Sequence, residues 1–100
     1  MKVQELIELI NNAEDLYSLW DAEEIIPSYI KLVEDELNPD RHRWYCVSTN
    51  VYKCEDGFVG VRGVSQLFYE TISYSDCDEV CYALEYEEVT TITYKPKLKN

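Results

Sequence analysis

Val51-Tyr52-Lys53-Cys54-Glu55-Asp56-Gly57-Phe58-Val59-Gly60-Val61 reads as two β-strands joined by a tight turn. Val, Tyr and Phe suit the pleated, half-buried surface of a strand. Glu55-Asp56-Gly57 is turn chemistry, with Gly57 as the left-handed residue of a three-residue loop. That loop pairs Cys54 with Phe58, sets Val51 opposite Val61 and Tyr52 opposite Gly60. It places Val47, Val51, Val59 and Val61 on one face, the expected core face. Gly60 and Gly63 point to a bend, a bulge or an aromatic ring lying over bare backbone.

Outward from this hairpin, residues 44–54 and 58–68 are its two strands. Ser75-Asp76-Cys77-Asp78 is a turn. Residues 79–94 read as a long β segment, with Val80, Tyr82, Leu84 and Tyr86 alternating on one face and Glu87-Glu88 as a bulge or break. Residues 96–100 are a polar tail.

The first forty residues read differently. Val3, Leu6, Ile7, Ile10, Ala13, Tyr17 and Trp20 recur at three- and four-residue steps, an apolar stripe of helical period widened by Leu9 and Leu16. Asn12 with Asp15, and Asp21 with Glu24, resemble capping pairs. Pro27 fits the first turn of a further helix bearing Tyr29, Ile30, Val33 and Leu37, which Asn38-Pro39-Asp40 stops. The expectation is an α+β domain spanning residues 1–100. Two or three N-terminal helices (residues 1–40) pack on one antiparallel sheet of three to five strands (residues 41–95).

One hundred residues, 46% of them apolar, suffice for one core and argue against disorder. The net charge is −11. Eleven acids against two lysines give residues 1–40 a charge of −9, leaving −2 for the rest. Such a chain lacks the cations for a phosphate-neutralising surface, so direct binding of nucleic acid or anionic lipid is not expected. No apolar run has the length of a membrane span, and no signal peptide is visible at the N-terminus, so the expected compartment is the cytoplasm.

Four phrases of the β half carry a resemblance. They are His42-Arg43-Trp44-Tyr45, Val51-Tyr52-Lys53-Cys54-Glu55-Asp56-Gly57, Val59-Gly60-Val61-Arg62-Gly63-Val64, and Tyr86-Glu87-Glu88-Val89 with Tyr94-Lys95-Pro96-Lys97. Together they resemble small acidic proteins of phages and bacterial mobile elements, over residues 41–97. That family brings no catalytic motif. In size and acidity the chain is also similar to phage-encoded anti-CRISPR proteins, which occlude a nucleic-acid-binding surface of a CRISPR effector. This second likeness rests on length and composition alone.

Motifs for chemistry are sparse. Cys46, Cys54, Cys77 and Cys81 are spaced C-x7-C and C-x3-C, whereas structural zinc sites pair tight C-x2-4-C units. On one straight strand Cys46 and Cys54 lie roughly 26 Å apart, too far to share an ion. Buried reduced thiols, a structural zinc and a disulfide all remain open. The expected cofactor is none, with structural zinc as the alternative. His42, the one histidine, has no triad around it. Gly60-Val61-Arg62-Gly63 lacks the context of a phosphate loop. Glu85, Glu87, Glu88, Asp76, Asp78 and Glu79 read as a solvated face rather than an acid–base pair. The nine tyrosines serve core edges or a protein-binding sheet face.

No catalytic residue is therefore expected. The chain reads as a non-catalytic binding protein whose carboxylates take the places of phosphates on a basic, nucleic-acid-binding host protein. The expected contact residues are Glu14, Asp15, Asp21, Glu23, Glu24, Glu34, Asp35 and Glu36. A small zinc-stabilised domain, or an accessory protein without inhibitory role, is the alternative.

Overall fold

A computed structural model describes residues 1–77, 79–90, 92 and 94–97. Two helices, α1 (Val3–Asn11) and α2 (Leu19–Ile25), precede four strands: β1 (Lys31–Arg41), β2 (Tyr45–Cys54), β3 (Gly57–Leu67) and β4 (Tyr82–Tyr86). A 3-10 turn at Tyr74–Asp76 lies between β3 and β4. The strands form one antiparallel sheet in the order β1-β2-β3-β4. The described residues are thus α+β, with two α-helices. No helix among the described residues is long and apolar enough to cross a membrane.

The core lies between the helices and one face of the sheet. Val3, Leu6 and Ile10 from α1 and Leu19 and Ala22 from α2 pack with Tyr52, Cys54, Val59, Val61 and Ala83. The predicted stripe holds through Ile10 and then loses phase. Asn12 is the C-cap of α1 and starts no new helix, and Asp15 takes a left-handed φ of 56°. The second helix begins only after Ser18, whose hydroxyl accepts the Asp21 N–H at 3.0 Å. Trp20, expected on the buried stripe, is therefore exposed.

The start of α1 is capped from a distance. Its own Lys2 side chain offers no cap, but the Asp56 carboxylate at the hairpin tip accepts the Val3 N–H at 2.8 Å. Beside it the Glu55 N–H donates to the Met1 carbonyl at 3.2 Å. The acids of the turn thus sit where the helix presents unpaired N–H groups and positive dipole.

The hairpin is present, but its register differs by one residue. The turn is Glu55-Asp56, Gly57 already belongs to β3, and Cys54 pairs with Gly57. Val51 consequently faces Gly60, Tyr52 faces Val59, and Asn50 faces Val61. Side chains alternate along a strand, so this slip separates the four valines. Val59 and Val61 lie under the helices, while Val47 and Val51 are buried on the other face. The expectation of an aromatic ring over bare backbone holds at Gly60 and not at Gly63. A Cβ at Gly60 would collide with the Tyr86 ring, and one at Gly63 with the Cys81 thiol.

The helix expected from Pro27 does not form; that stretch leads into β1. Proline holds the preceding Ile26 extended, at ψ 129°. A turn then closes with the Ile30 N–H on the Pro27 carbonyl. Glu34-Asp35-Glu36 would place three like charges together on a helix, with Lys31 the one base a turn away. As an edge strand the segment holds them in water, and an edge also tolerates Pro39. Register shifts after Leu32, Glu34 and Leu37, with left-handed φ at Glu36 (51°) and Asn38 (49°), hid its strand character. At the other edge β4 has five residues, not sixteen, and Val80 lies outside it. Tyr82, Leu84 and Tyr86 alternate as expected. Of the expected extension beyond Glu87-Glu88, Thr91 and Thr93 lie outside the described residues. Those that are described there form no strand.

Candidate functional site

With β1 as a strand, the acids fall into groups that the linear sequence does not show. Glu23 of α2 and Asp35 and Glu36 of β1 line one surface groove of about 260 Å³, together with Trp20, Leu32 and Asn50. An adjoining groove is walled by Glu23 and Glu24 over Ile26, Pro27 and Ile30. Glu34 opens on a third groove, of about 710 Å³, shared with Lys31, Lys53, Val51, Phe58 and Tyr86. Glu14 and Asp15 sit in the α1–α2 connection, and Asp21 in the first turn of α2. The eight expected contact acids thus do not form one patch. Glu23, Glu24, Asp35 and Glu36 make a continuous rim, and the rest stand outside it.

The rim is electrostatically open. Among the described residues Glu23, Asp35 and Glu36 form no ion pair. Trp20, 69% exposed, projects beside them with its indole N–H on Glu24 at 3.2 Å. Glu36 is held left-handed, a conformation that costs an L-residue about 1–2 kcal/mol. The Asn50 side-chain oxygen accepts its N–H at 3.4 Å. Gly or Asn would occupy that position more cheaply.

No disulfide joins the four cysteines, which are scattered through the fold. β2 runs unbroken from Cys46 to Cys54, without the turn at Ser48-Thr49-Asn50 that would bring their thiols together. Cys54 and Cys81 belong to the main core and Cys77 to a smaller one with Val47 and Val64. Among the described residues no group of three or more His, Cys, Asp or Glu side chains converges. Burial, with the Asp21 carboxylate nearby, pushes the Cys81 thiol up to about 12. Burial also raises Cys54.

A thiol with a raised native pKa stabilises the fold fully below its unfolded value near 9. That contribution is lost as pH rises from there toward about 12. Iodoacetamide at pH ~8 should accordingly modify the half-buried Cys46 well before Cys54 or Cys81, since the thiolate is the nucleophile. Peptide mass spectrometry over a time course reads the order. Early labelling of Cys81 would contradict the buried environment described for it.

The basic cluster is absorbed into an aromatic end of the sheet. Arg41 stacks over the Phe68 ring at 4.2 Å and Arg43 over Trp44 at 4.5 Å. His42 lies parallel to Tyr45 at 4.5 Å and contacts the Asp40 carboxylate at 3.3 Å. Trp44 meets Tyr69 edge-on at 5.2 Å. Sequence reasoning missed this end as a unit because Trp44 and Tyr69 stand on opposite sides of the β2–β3 hairpin. The signal available was the run of three basic residues leading into Trp44-Tyr45. Comparison of the chain with family models, curated proteins and solved structures found no match in any of the three.

Proposed function

We propose that the protein is a non-catalytic binding module whose α2–β1 rim docks on a basic protein surface. The observation that carries this reading is the grouping of Glu23, Asp35 and Glu36 around one groove beside the exposed Trp20. Two elements contribute carboxylates without neutralising them, and an aromatic side chain stands ready as an anchor. The left-handed Glu36 supports the same reading, since strain kept at a surface carboxylate serves no packing purpose. The resemblance to phage and mobile-element proteins directs the search to nucleic-acid-binding host defence effectors, whose phosphate-binding surfaces such a rim would mask.

The test follows from the grouping. A variant carrying Glu23→Lys, Asp35→Lys and Glu36→Lys reverses charges that are exposed, so the fold should persist by circular dichroism. Capture of a basic, nucleic-acid-binding partner from host lysate should fall at least tenfold, and the parent should block that partner's nucleic-acid binding. Capture should also weaken from low to physiological salt, where Coulomb attraction is screened beyond ~8 Å. Undiminished capture by the triple variant would move the interface to the groove of Val51, Phe58 and Tyr86. There the exposed Tyr82 and Leu84 beside it offer a tyrosine-rich sheet face.

A further inference from the structure

We propose that the aromatic end of the sheet is a binding site for a trimethylammonium group. The cavity there, of about 330 Å³, is lined by Trp44, Tyr45, Tyr69, Thr71, Ile72 and Asp76. Its volume lies at the lower end of the range of small-ligand sites. Trp44 and Tyr69 are 43% and 52% exposed, so these rings are not spent on the core. Their planes meet at 65°, forming two walls of a corner that Tyr45 extends. The face of an aromatic ring carries negative potential, and several rings converging on one space attract a cation that sheds its water cheaply. A quaternary ammonium fits this description better than a primary one, because it has no N–H to satisfy and its methyl groups pack on the rings.

Charge at the site agrees. Asp76 lines the cavity, and its carboxylate accepts both the Ser73 N–H and the Ser73 hydroxyl at 2.9 Å. Those bonds hold it below the usual carboxylate range, so it is an anion throughout the physiological pH span. Glu79, outside the cavity lining, accepts the Tyr45 hydroxyl at 3.4 Å. Arg43 stands over the Trp44 ring, Arg41 over Phe68 and His42 over Tyr45, yet none of the three lines the cavity. The Arg43 guanidinium takes one face of the Trp44 ring, so a ligand cation would use the other. The site is independent of the α2–β1 rim.

Titration of the 15N-labelled protein with choline chloride should move the Trp44 indole N–H resonance and leave that of Trp20 in place. Ammonium chloride at equal ionic strength should not move it. Dimethylbutanol, the uncharged isostere of choline, should bind at least fivefold more weakly. Trp44→Leu should weaken choline binding about two- to thirtyfold, the span of one cation–π contact. Asp76→Asn should weaken it while keeping an acceptor for Ser73, so that loss of fold is not the cause. Peptides carrying trimethyllysine or unmodified lysine distinguish the source. Tighter binding of the trimethyllysine peptide than of choline assigns the group to a modified protein side chain, and the reverse order to a free head group. Equal responses to choline and dimethylbutanol, no response to either choline or the trimethylated peptide, or unchanged binding by the Trp44 variant overturns the proposal.

Discussion

Gly63→Val should destabilise the fold by about 3 kcal/mol or more, seen as a fall in the urea midpoint. Any Cβ at Gly63 runs into the Cys81 thiol and lies 3.1 Å from the Tyr17 carbonyl oxygen. Neither obstacle can retreat. The Tyr17 carbonyl accepts the Val64 N–H at 3.0 Å, and the Cys81 N–H donates to the Leu16 carbonyl at 2.7 Å. The neighbouring Ser18 forms a parallel bridge to Val64. Beyond Arg62, where β4 stops pairing, this segment takes the place of β4 beside β3. A side chain at Gly63 must separate that segment from the sheet or break the approach of Cys81. Gly63→Ala should show the same effect at a smaller size, and a parent-like midpoint for both variants would mean that this wall yields.

Leu6→Ala should cost about 2–5 kcal/mol. Leu6 is fully buried in the main core, between α1 and the sheet. Nothing adjacent can collapse into the space, because α1 is fixed at both ends. Asp56 holds its first turn, and Asn11 at its last position exchanges two hydrogen bonds with the backbone of Ala83, at 2.8 and 3.2 Å. For a domain of this size each kcal/mol lowers the melting temperature by roughly 4–8 °C, so thermal denaturation reads the change easily. Leu9→Ala, on the half-buried side of the same helix, is the control and should cost clearly less. Equal costs at the two positions would show that burial does not set the effect.

The division into helices and antiparallel strands was legible because it rests on hydrophobic period. The helical stripe of α1 and the turn chemistry at Glu55-Asp56 are strong local signals. The register was not local. Gly57 looked like a loop residue, but the turn is fixed by docking of Glu55 and Asp56 on Met1 and Val3, some fifty residues away. The strand β1 was misread because Tyr29, Ile30, Val33 and Leu37 mimic a helical stripe, while left-handed Glu36 and Asn38 break the alternation that marks a strand. That error also concealed the site. The charge excess of the first forty residues was evident from counting. Which acids share a groove depended on β1 folding back beside α2, and this separates Glu34 from Asp35 and Glu36. Trp20 shows the same limit, since its exposure follows from the restart of helical phase at Ser18.

The two hydrogen bonds between Asn11 and Ala83 join residues 72 positions apart. During synthesis Asn11 leaves the ribosome 72 residues ahead of the Ala83 that receives it. The β2–β3 hairpin can close as soon as it emerges, because its partners are sequence neighbours. Until β4 arrives, α1 can cover β3 and rest on the hairpin tip, but the end of the helix at Asn11 has no backbone to hold. The joining of α1 to β4 therefore waits for the latest-made of the described elements. A nascent chain arrested before residue 82 carries a nearly complete sheet and a helix with part of its apolar stripe in water, the state in which chaperone capture or clumping competes with folding.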